Sequence, residues 1–282
     1  MAQKEIGPTG KPFRVFPKPP PLKQHGPARI IAMCNQKGGV GKTTTTINLA
    51  ASLAADGRRV LAVDFDPQGA LSAGLAIPTQ DGPTIYDLLI GSVKDTRAAI
   101  IPSKVEGLDV LPANIDLSAA EVNLVNEVAR ESILAGVLRQ VSRDYDVIII
   151  DSQPSLGLLT INALTAAHGV IIPLACEFFA LRGVALLIDT VNKVQDRLNP
   201  SLQLDGILAT MYDPRLLHDR EVLERVVETF GDKVFETVIK RTVKLPDAQV
   251  AGVPILEYAP TNAAAEAYRQ VARELIARGA VA

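Results

Sequence analysis

The sequence predicts an α/β fold in which helices cover both faces of a mostly parallel, twisted sheet. From residue 29 onward, short apolar runs alternate with longer stretches of helical periodicity, as in strand–helix–strand crossover units. The run at residues 147–150 has no polar alternation, which is typical of a strand buried on both faces. A glycine-rich segment lies between the first predicted strand and the first predicted helix. In such a sheet, ligands bind at the carboxyl ends of the strands.

The predicted elements follow one another with no internal repeat. Strands are expected at residues 30–34, 60–64, 108–111, 147–150, 170–173, 204–210 and 234–239. Helices are expected between or after them, at residues 43–55, 119–141, 158–167, 180–198, 219–230 and 262–278. We therefore predict one domain over residues 29–282.

Composition excludes several classes of protein. Of the 282 residues, 48% are hydrophobic and 21% are charged, which suits a large packed core rather than a disordered chain. The net charge of −2 argues against a globally basic nucleic-acid binder, although a local basic patch remains compatible with it. Cys34 and Cys176 form no CxxC motif, so a zinc ribbon and a disulfide scaffold are excluded. No apolar stretch is long enough to span a bilayer, and no secretory signal is recognisable, so we expect a cytoplasmic protein.

Residues 1–28 differ in composition from the rest and are predicted to form a flexible, basic arm. They contain seven of the 19 prolines, a density that disfavours helices and sheet ladders. Residues 1–29 hold six basic residues and one acid, which leaves a net charge of about −7 on residues 30–282. The arm is either a solvated leader or a contact for nucleic acid or a protein partner.

The strongest motif is a phosphate-binding loop at residues 35–44, with the sequence Asn-Gln-Lys-Gly-Gly-Val-Gly-Lys-Thr-Thr. Its glycines allow backbone N–H groups to approach phosphate oxygens, and the following helix adds its positive dipole end. Lys42 is placed to reach the β- and γ-phosphates, and the Thr43 hydroxyl to bind Mg²⁺. Gln36 occupies the first glycine position of the usual GxxxxGK[ST] pattern.

Two acids at strand ends complete this pattern. Asp151 ends the run Val-Ile-Ile-Ile-Asp, where a carboxylate suits magnesium binding, directly or through water. Asp66 lies in Asp-Phe-Asp-Pro-Gln at the end of the second predicted strand. A single acid of this kind is often only a cap or a solvated turn. Two of them beside a phosphate loop favour a nucleotide-hydrolysing site.

These segments jointly resemble the ParA/MinD ATPases, in particular the chromosomal, Soj-type ParA proteins. Residues 37–43 resemble their deviant Walker A box, which is marked by an extra lysine before the glycine pair, here Lys37. Residues 63–69 resemble their second carboxylate motif, and residues 151–157 resemble Asp-Cys-Pro-Pro-Ser-Leu-Gly with departures at the second and third positions. Residues 176–181 resemble Cys-Glu-Tyr-Tyr-Ala-Leu. The resemblance runs from about residue 29 to the C-terminus and implies a deviant P-loop NTPase.

The resemblance implies a Mg²⁺-dependent ATPase for chromosome or plasmid partitioning, which forms a nucleotide-sandwich homodimer. Lys37 would reach the phosphates of the partner subunit's ATP, and Asp66 would orient the attacking water. The ATP dimer would bind DNA without sequence preference and associate with the nucleoid, and a ParB-type partner would stimulate hydrolysis. The implied catalytic residues are Lys37, Lys42 and Asp66, and the implied Mg²⁺ ligands are Thr43 and Asp151. ATP contacts are implied for Lys37, Gly38, Gly39, Val40, Gly41, Lys42, Thr43, Thr44, Arg241 and Thr242.

DNA contacts in this family lie on basic residues that follow two late strands. The resemblance assigns this role to Arg215, Lys244 and Arg241. Family members often have Pro-Arg-Asn-Val-Arg where this chain has Lys-Arg-Thr-Val-Lys, so the adenine contacts of Arg241 and Thr242 are less firmly implied.

Three related or rival functions are open. A MinD-like membrane ATPase needs a basic, apolar terminal helix, whereas the last predicted helix has an apolar stripe suited to core packing and carries Glu266 and Glu274. A nitrogenase-reductase-like iron–sulfur protein needs dedicated cluster cysteines. An ATP-gated switch that binds protein rather than DNA has the same motifs.

Overall fold

The computed structural model describes residues 6–12, 14–177 and 180–282. Within these ranges, seven strands form one sheet in the order β3-β4-β2-β5-β1-β6-β7. All neighbouring strands are parallel except the edge pair β3–β4, which confirms the predicted fold class. The strands are β1 (Arg29–Met33), β2 (Val60–Phe65), β3 (Ile101–Pro102), β4 (Leu108–Leu111), β5 (Val147–Ser152), β6 (Gly169–Ala175) and β7 (Gln203–Thr210).

Helices lie on both faces of this sheet because each central strand presents apolar side chains to both sides. Along β1, Ile30 and Ala32 belong to one apolar cluster and Ile31 and Met33 to the other. The helices are α1 (Lys42–Ala55), α2 (Ala70–Gly74), α3 (Ile85–Leu89), α4 (Ala120–Asn123), α5 (Ile133–Arg139), α6 (Leu158–Ala166), α7 (Ala180–Arg197), α8 (Leu217–Phe230), α9 (Lys244–Val250), α10 (Ile255–Tyr258) and α11 (Ala263–Ala277).

The predicted helix at residues 119–141 is wrong as a single element. The structure has α4, two short 3-10 turns and α5 there, and Ala129 adopts a left-handed backbone with φ of 55° between the two turns. A right-handed helix cannot continue through that conformation.

The predicted strand at residues 234–239 is also wrong, because a buried carboxylate captures its backbone. Glu274 in α11 is 1% exposed and accepts the N–H groups of Glu236 and Thr237 at 2.7 and 3.0 Å. Those donors are therefore unavailable for a regular ladder, although the N–H groups of Phe235 and Ile239 still donate to carbonyls of β7. Glu274 thus ties α11 to this segment.

The N-terminal segment contacts the domain at several of the residues that the structure describes. Phe16 is 5% exposed, and its backbone N–H donates to Oε1 of Gln270 in α11 at 2.7 Å. The ammonium of Lys11 lies 2.9 Å from Oδ1 of Asp232. Proline-rich composition suggested a free arm, but it does not prevent one aromatic ring from being buried.

A second anchor of this segment is the buried carboxylate of Asp146, just before β5. It accepts the N–H groups of Gly26 and Arg59 at 2.8 and 2.7 Å, and His25 Nδ1 lies 2.8 Å from it. The boundary at residue 28 and the flexibility of the arm stay predictions, but the described part of the arm makes specific contacts with the domain.

Among the helices of the described ranges, none combines the length and the hydropathy that a membrane crossing requires.

Candidate functional site

The glycine-rich loop lies between β1 and α1, at the carboxyl edge of the sheet. Gly39 and Gly41 have φ of 73° and 85°, a left-handed backbone that residues with a side chain rarely adopt. A Cβ added at Gly38 or Gly39 would meet nothing within 4 Å, so the loop opens onto free space. Helix α1 begins directly after Gly41 with no side-chain cap, which leaves its first N–H groups available to an anion.

Two side chains, Asn35 and Thr210, hold this loop in place through three hydrogen bonds. The Asn35 amide donates to the Pro173 carbonyl of β6 at 2.7 Å, and its oxygen accepts the Lys37 N–H at 3.0 Å. The Thr210 hydroxyl at the end of β7 donates to the Val40 carbonyl at 2.8 Å. The loop is therefore fixed to β6 and β7 in the form described here.

Lys42 is buried beneath the loop. Its ammonium donates to the Lys37 carbonyl at 3.1 Å, so it points into the curl of the backbone. Burial lowers the pKa of Lys42, and the nearby carboxylate of Asp151 opposes that shift. A lysine with one carbonyl partner in a buried position is well suited to bind a multiply charged anion.

Asp151, at the end of β5, is fully buried. Its Oδ1 accepts the Thr46 hydroxyl at 3.3 Å, whereas its Oδ2 has no hydrogen-bond partner in the described part of the chain. Burial and then the charge of Asp64 raise the pKa of Asp151 to about 8, against the opposing effects of Thr43 and Lys42. A buried carboxylate with an unsatisfied oxygen beside a threonine hydroxyl has the hard-oxygen chemistry that Mg²⁺ prefers.

Asp66 follows β2, whose neighbour in the sheet is β5. It is half-buried, and its Oδ1 accepts the Gln68 N–H at 3.0 Å. Asp64 and Asp151 are register partners across β2 and β5. The structure therefore brings the P-loop lysine Lys42 and the acids at the ends of two strands to one edge of the sheet, as the sequence predicts.

Lys37 is exposed, unlike Lys42. Its ammonium forms an ion pair with the carboxylate of Glu177, which follows β6. Sequence reasoning did not assign a role to Glu177, although it lies in the segment 176–181 that carried part of the resemblance. Phe178 and Phe179 of that segment lie outside the described residues.

A partly apolar pocket adjoins the phosphate loop. Its cavity has a volume of about 160 Å³ and includes Gly41, Thr44, Arg241 and Thr242 in its walls. The predicted nucleotide contacts at Arg241 and Thr242 thus lie in one pocket with the loop. Tyr268 of α11 also lines it, although its position on the apolar stripe had suggested only core packing.

Arg215 and Arg241 lie on neighbouring loops, because the Arg241 N–H donates to the Tyr212 carbonyl just after β7, and Lys244 is the first residue of α9. Arg215 forms two side-chain hydrogen bonds with Asp213, at 2.9 and 2.6 Å. Lys244 lies 3.4 Å from Asp247. Each of these two exposed cations therefore has an acidic neighbour that partly offsets its charge.

The two cysteines are buried free thiols. Burial raises the pKa of Cys34 to about 11 and that of Cys176 to about 12, so neither is a reactive thiolate near neutral pH.

The chain matches a sequence family described as an AAA domain over residues 28–204. It is 60% identical over 274 residues to an uncharacterised protein of Mycobacterium tuberculosis, a match that covers 97% of this chain and 86% of the relative. It is 49% identical over 250 residues to the chromosome-partitioning ATPase Soj of Treponema pallidum, which covers 89% of this chain and 98% of that one.

Among solved structures, the chain resembles a cobyrinic acid a,c-diamide synthase of Mycobacterium smegmatis with a bound ATP analogue and magnesium. The TM-score is 0.76 at 42% identity, and the match covers 87% of this chain and 93% of the other.

Proposed function

The chain belongs to the Soj/ParA family of partitioning ATPases, and we propose that it is a Mg²⁺-dependent ATPase whose ATP-bound dimer binds DNA. The observation that carries this proposal is the unsatisfied buried Oδ2 of Asp151 beside Thr43 and the P-loop. An oxygen ligand without a partner, next to a phosphate cradle, supports binding of ATP and Mg²⁺.

The residues present fit both cofactors. The glycine loop and the start of α1 would bind the phosphates, with Lys42 as the buried cation. Thr43 and Asp151 would hold Mg²⁺, which would supply positive charge against the charge that develops on the phosphate. Arg241 and Thr242 would contact the base in the adjoining pocket.

Asp66 is the residue that we assign to the attacking water. It is half-buried just after β2 and close enough to Lys42 for its charge to raise the pKa of that lysine, against the larger lowering effect of burial. A carboxylate in this place can accept a hydrogen bond from water and orient it for in-line attack on the γ-phosphate.

Lys37 is the residue that we assign to the second subunit. It is exposed, and the cation within the loop's own curl is Lys42. An exposed lysine at the rim of the loop could deliver its charge to the phosphates of a partner's ATP, as an arginine finger does in trans.

Dimerisation would place two copies of Arg215, Arg241 and Lys244 on one face, and DNA would then compete with Asp213 and Asp247 for their charges. The protein would then lie on the nucleoid, and a ParB-type partner would stimulate hydrolysis and return it to the monomer.

The C-terminal helix gives no support to a membrane-associated alternative. A helix that binds a membrane surface needs an exposed apolar face. The apolar side of α11, formed by Tyr268, Val271, Ala272 and Leu275, is fully buried in the domain.

The proposal is tested by DNA-binding titrations without nucleotide and with ADP, ATP or a slowly hydrolysed analogue. We expect binding to several unrelated duplexes only with ATP or the analogue, and a steep fall in affinity with salt. Arg215→Glu and Lys244→Glu should weaken binding to every duplex, whereas Lys193→Glu, which breaks a surface ion pair in α7, serves as the matched charge control. ATP binding with no affinity for DNA would instead favour an ATP-gated switch that binds protein.

A further inference from the structure

A second carboxylate of β2, Asp64, is completely buried two residues before Asp66. Its Oδ2 accepts the backbone N–H and the hydroxyl of Ser72 at 2.8 and 2.7 Å. Its Oδ1 accepts the backbone N–H of Asp66 at 3.3 Å. One carboxylate therefore connects the residue assigned to the attacking water with Ser72 in helix α2.

Ser72 extends this connection to the end of β4. Its hydroxyl oxygen accepts the N–H of Ala113 at 3.3 Å while donating to Asp64. Between Asp66 and α2, the N–H of Gly69 donates to the Asp66 carbonyl at 2.9 Å, and a Cβ at Gly69 would lie 3.1 Å from the Ala113 carbonyl oxygen. The turn at residues 66–69 is thus held from both sides.

The carboxylate of Asp64 is buried in this place at an electrostatic cost. Asp64 faces Asp151 across the strand pair and lies close to Asp66, and burial raises its pKa to about 6. Two buried carboxylates on neighbouring strands repel one another. An asparagine in this place would avoid that repulsion, but it offers one acceptor oxygen instead of two and could not accept from both Ser72 and the Asp66 N–H.

We propose that Asp64 and Ser72 are positioning residues that fix Asp66 in the geometry needed to orient the attacking water. The inference rests on the proposed function, because it assumes the role given there to Asp66. Asp64 acts on the Asp66 backbone directly, and Ser72 acts through Asp64.

The test compares steady-state ATP hydrolysis and ATP affinity in Ser72→Ala, Asp66→Ala and the double variant. Ser72→Ala removes the hydroxyl and keeps the backbone donor. We expect kcat to fall by about tenfold, since small displacements of a catalytic group cost rate rather than binding, with the KM for ATP unchanged. In the Asp66→Ala background, Ser72→Ala should cause no further loss of kcat.

Ser52→Ala is the matched control, because it also removes a buried serine hydroxyl that donates at 2.7 Å, but to a backbone carbonyl within α1. It should lower the melting temperature to a similar extent and leave kcat unchanged. Asp64→Asn, which keeps an acceptor oxygen, should lose less kcat than Asp64→Ala.

Three outcomes are informative. Wild-type kcat in Ser72→Ala, or equal further losses in both backgrounds, would overturn the positioning role. If Ser72→Ala instead raises the KM for ATP and lowers the melting temperature together, Ser72 has a structural role only. This outcome also overturns the positioning role. Full turnover in Asp66→Ala would instead contradict the proposed function, and this result does not depend on Ser72.

Discussion

The carboxylate of Glu177 holds the ammonium of Lys37 within a single chain. Both side chains are about half exposed, so the pair contributes on the order of 0–1 kcal/mol. Glu177 therefore competes only weakly for Lys37, and in the proposed dimer a phosphate group of the partner's ATP would displace it. The pair neutralises the loop's exposed lysine while the chain is alone.

Removing this competitor should favour the dimer. Glu177→Gln is expected to strengthen ATP-dependent dimerisation by up to about 30-fold, because a symmetric dimer would break two such pairs, each worth at most roughly 1 kcal/mol. Sedimentation over a range of protein concentrations measures the effect. Asp189→Asn, which breaks an exposed pair with Lys193 on α7, is the control and should change nothing. Weaker dimerisation in Glu177→Gln would mean that Glu177 contributes to the interface itself.

Substitution of the two lysines of the loop should show that they have different roles. Lys42→Ala is expected to weaken ATP binding to the monomer by about 1.5–3 kcal/mol, because it removes a charge-assisted contact from a buried position. Lys37→Ala should bind nucleotide normally and fail in dimerisation and turnover. Calorimetry on both variants checks this, and equal losses would show that Lys37 binds its own chain's nucleotide.

The buried acid Asp151 predicts how stability depends on pH. Its pKa of about 8 in the folded state lies well above the ordinary value of an aspartate, so between these two values the folded state binds more protons than the unfolded state. Stability from this group is therefore present at low pH and is lost as pH rises toward 8. In metal-free buffer at pH 8–9, Asp151→Asn should be more stable than the wild type by about 1–3 kcal/mol.

That gain should shrink toward pH 5 and disappear when Mg²⁺ and nucleotide are present, because the ionised carboxylate then has a partner. Thermal unfolding at several pH values, with and without Mg²⁺ and ATP, measures it. A stabilisation that is the same at pH 5 and pH 9 would contradict the role of charge.

The N-terminal arm should contribute to stability. Phe16→Ala is expected to lower the free energy of unfolding by about 1–3 kcal/mol, because the ring is buried against the domain. Val15→Ala is the matched control, since Val15 precedes Phe16 in the chain and its side chain is 64% exposed. Denaturant titrations of both variants give the comparison, and equal effects would mean that the arm is undocked in solution. Deletion of residues 2–28 should leave the ATPase domain folded but less stable.

The sequence alone predicts most of the sheet and the phosphate loop, because both depend on local patterns. The alternation of strands and helices places Asp151 at the end of a buried strand, and the glycines at 38, 39 and 41 identify the loop. The similarity to known relatives confirms the predicted family, and the observed order of strands confirms the predicted fold class.

Contacts between distant side chains and backbone groups could not be predicted in this way. Glu274 lies on a helix stripe and gives no sign that it will capture the backbone at Glu236 and Thr237. Asp146 and Phe16 are likewise ordinary in sequence, yet they anchor the arm. Such contacts depend on three-dimensional placement, which periodicity does not encode.

The carboxylate of Glu274 has a consequence for communication within the molecule. It accepts hydrogen bonds from residues 236 and 237 and so links them to α11. The same stretch of chain continues into Lys240, Arg241 and Thr242, which line the pocket that adjoins the phosphate loop. The arm contacts the same region, through the Phe16 N–H on Gln270 of α11 and through Arg14, which lies 3.9 Å from Glu236. Any displacement of this stretch by a bound base therefore changes the surface on which the arm docks. Such coupling is reciprocal. If a bound nucleotide strengthens docking of the arm by a given factor, the docked arm strengthens nucleotide binding by the same factor.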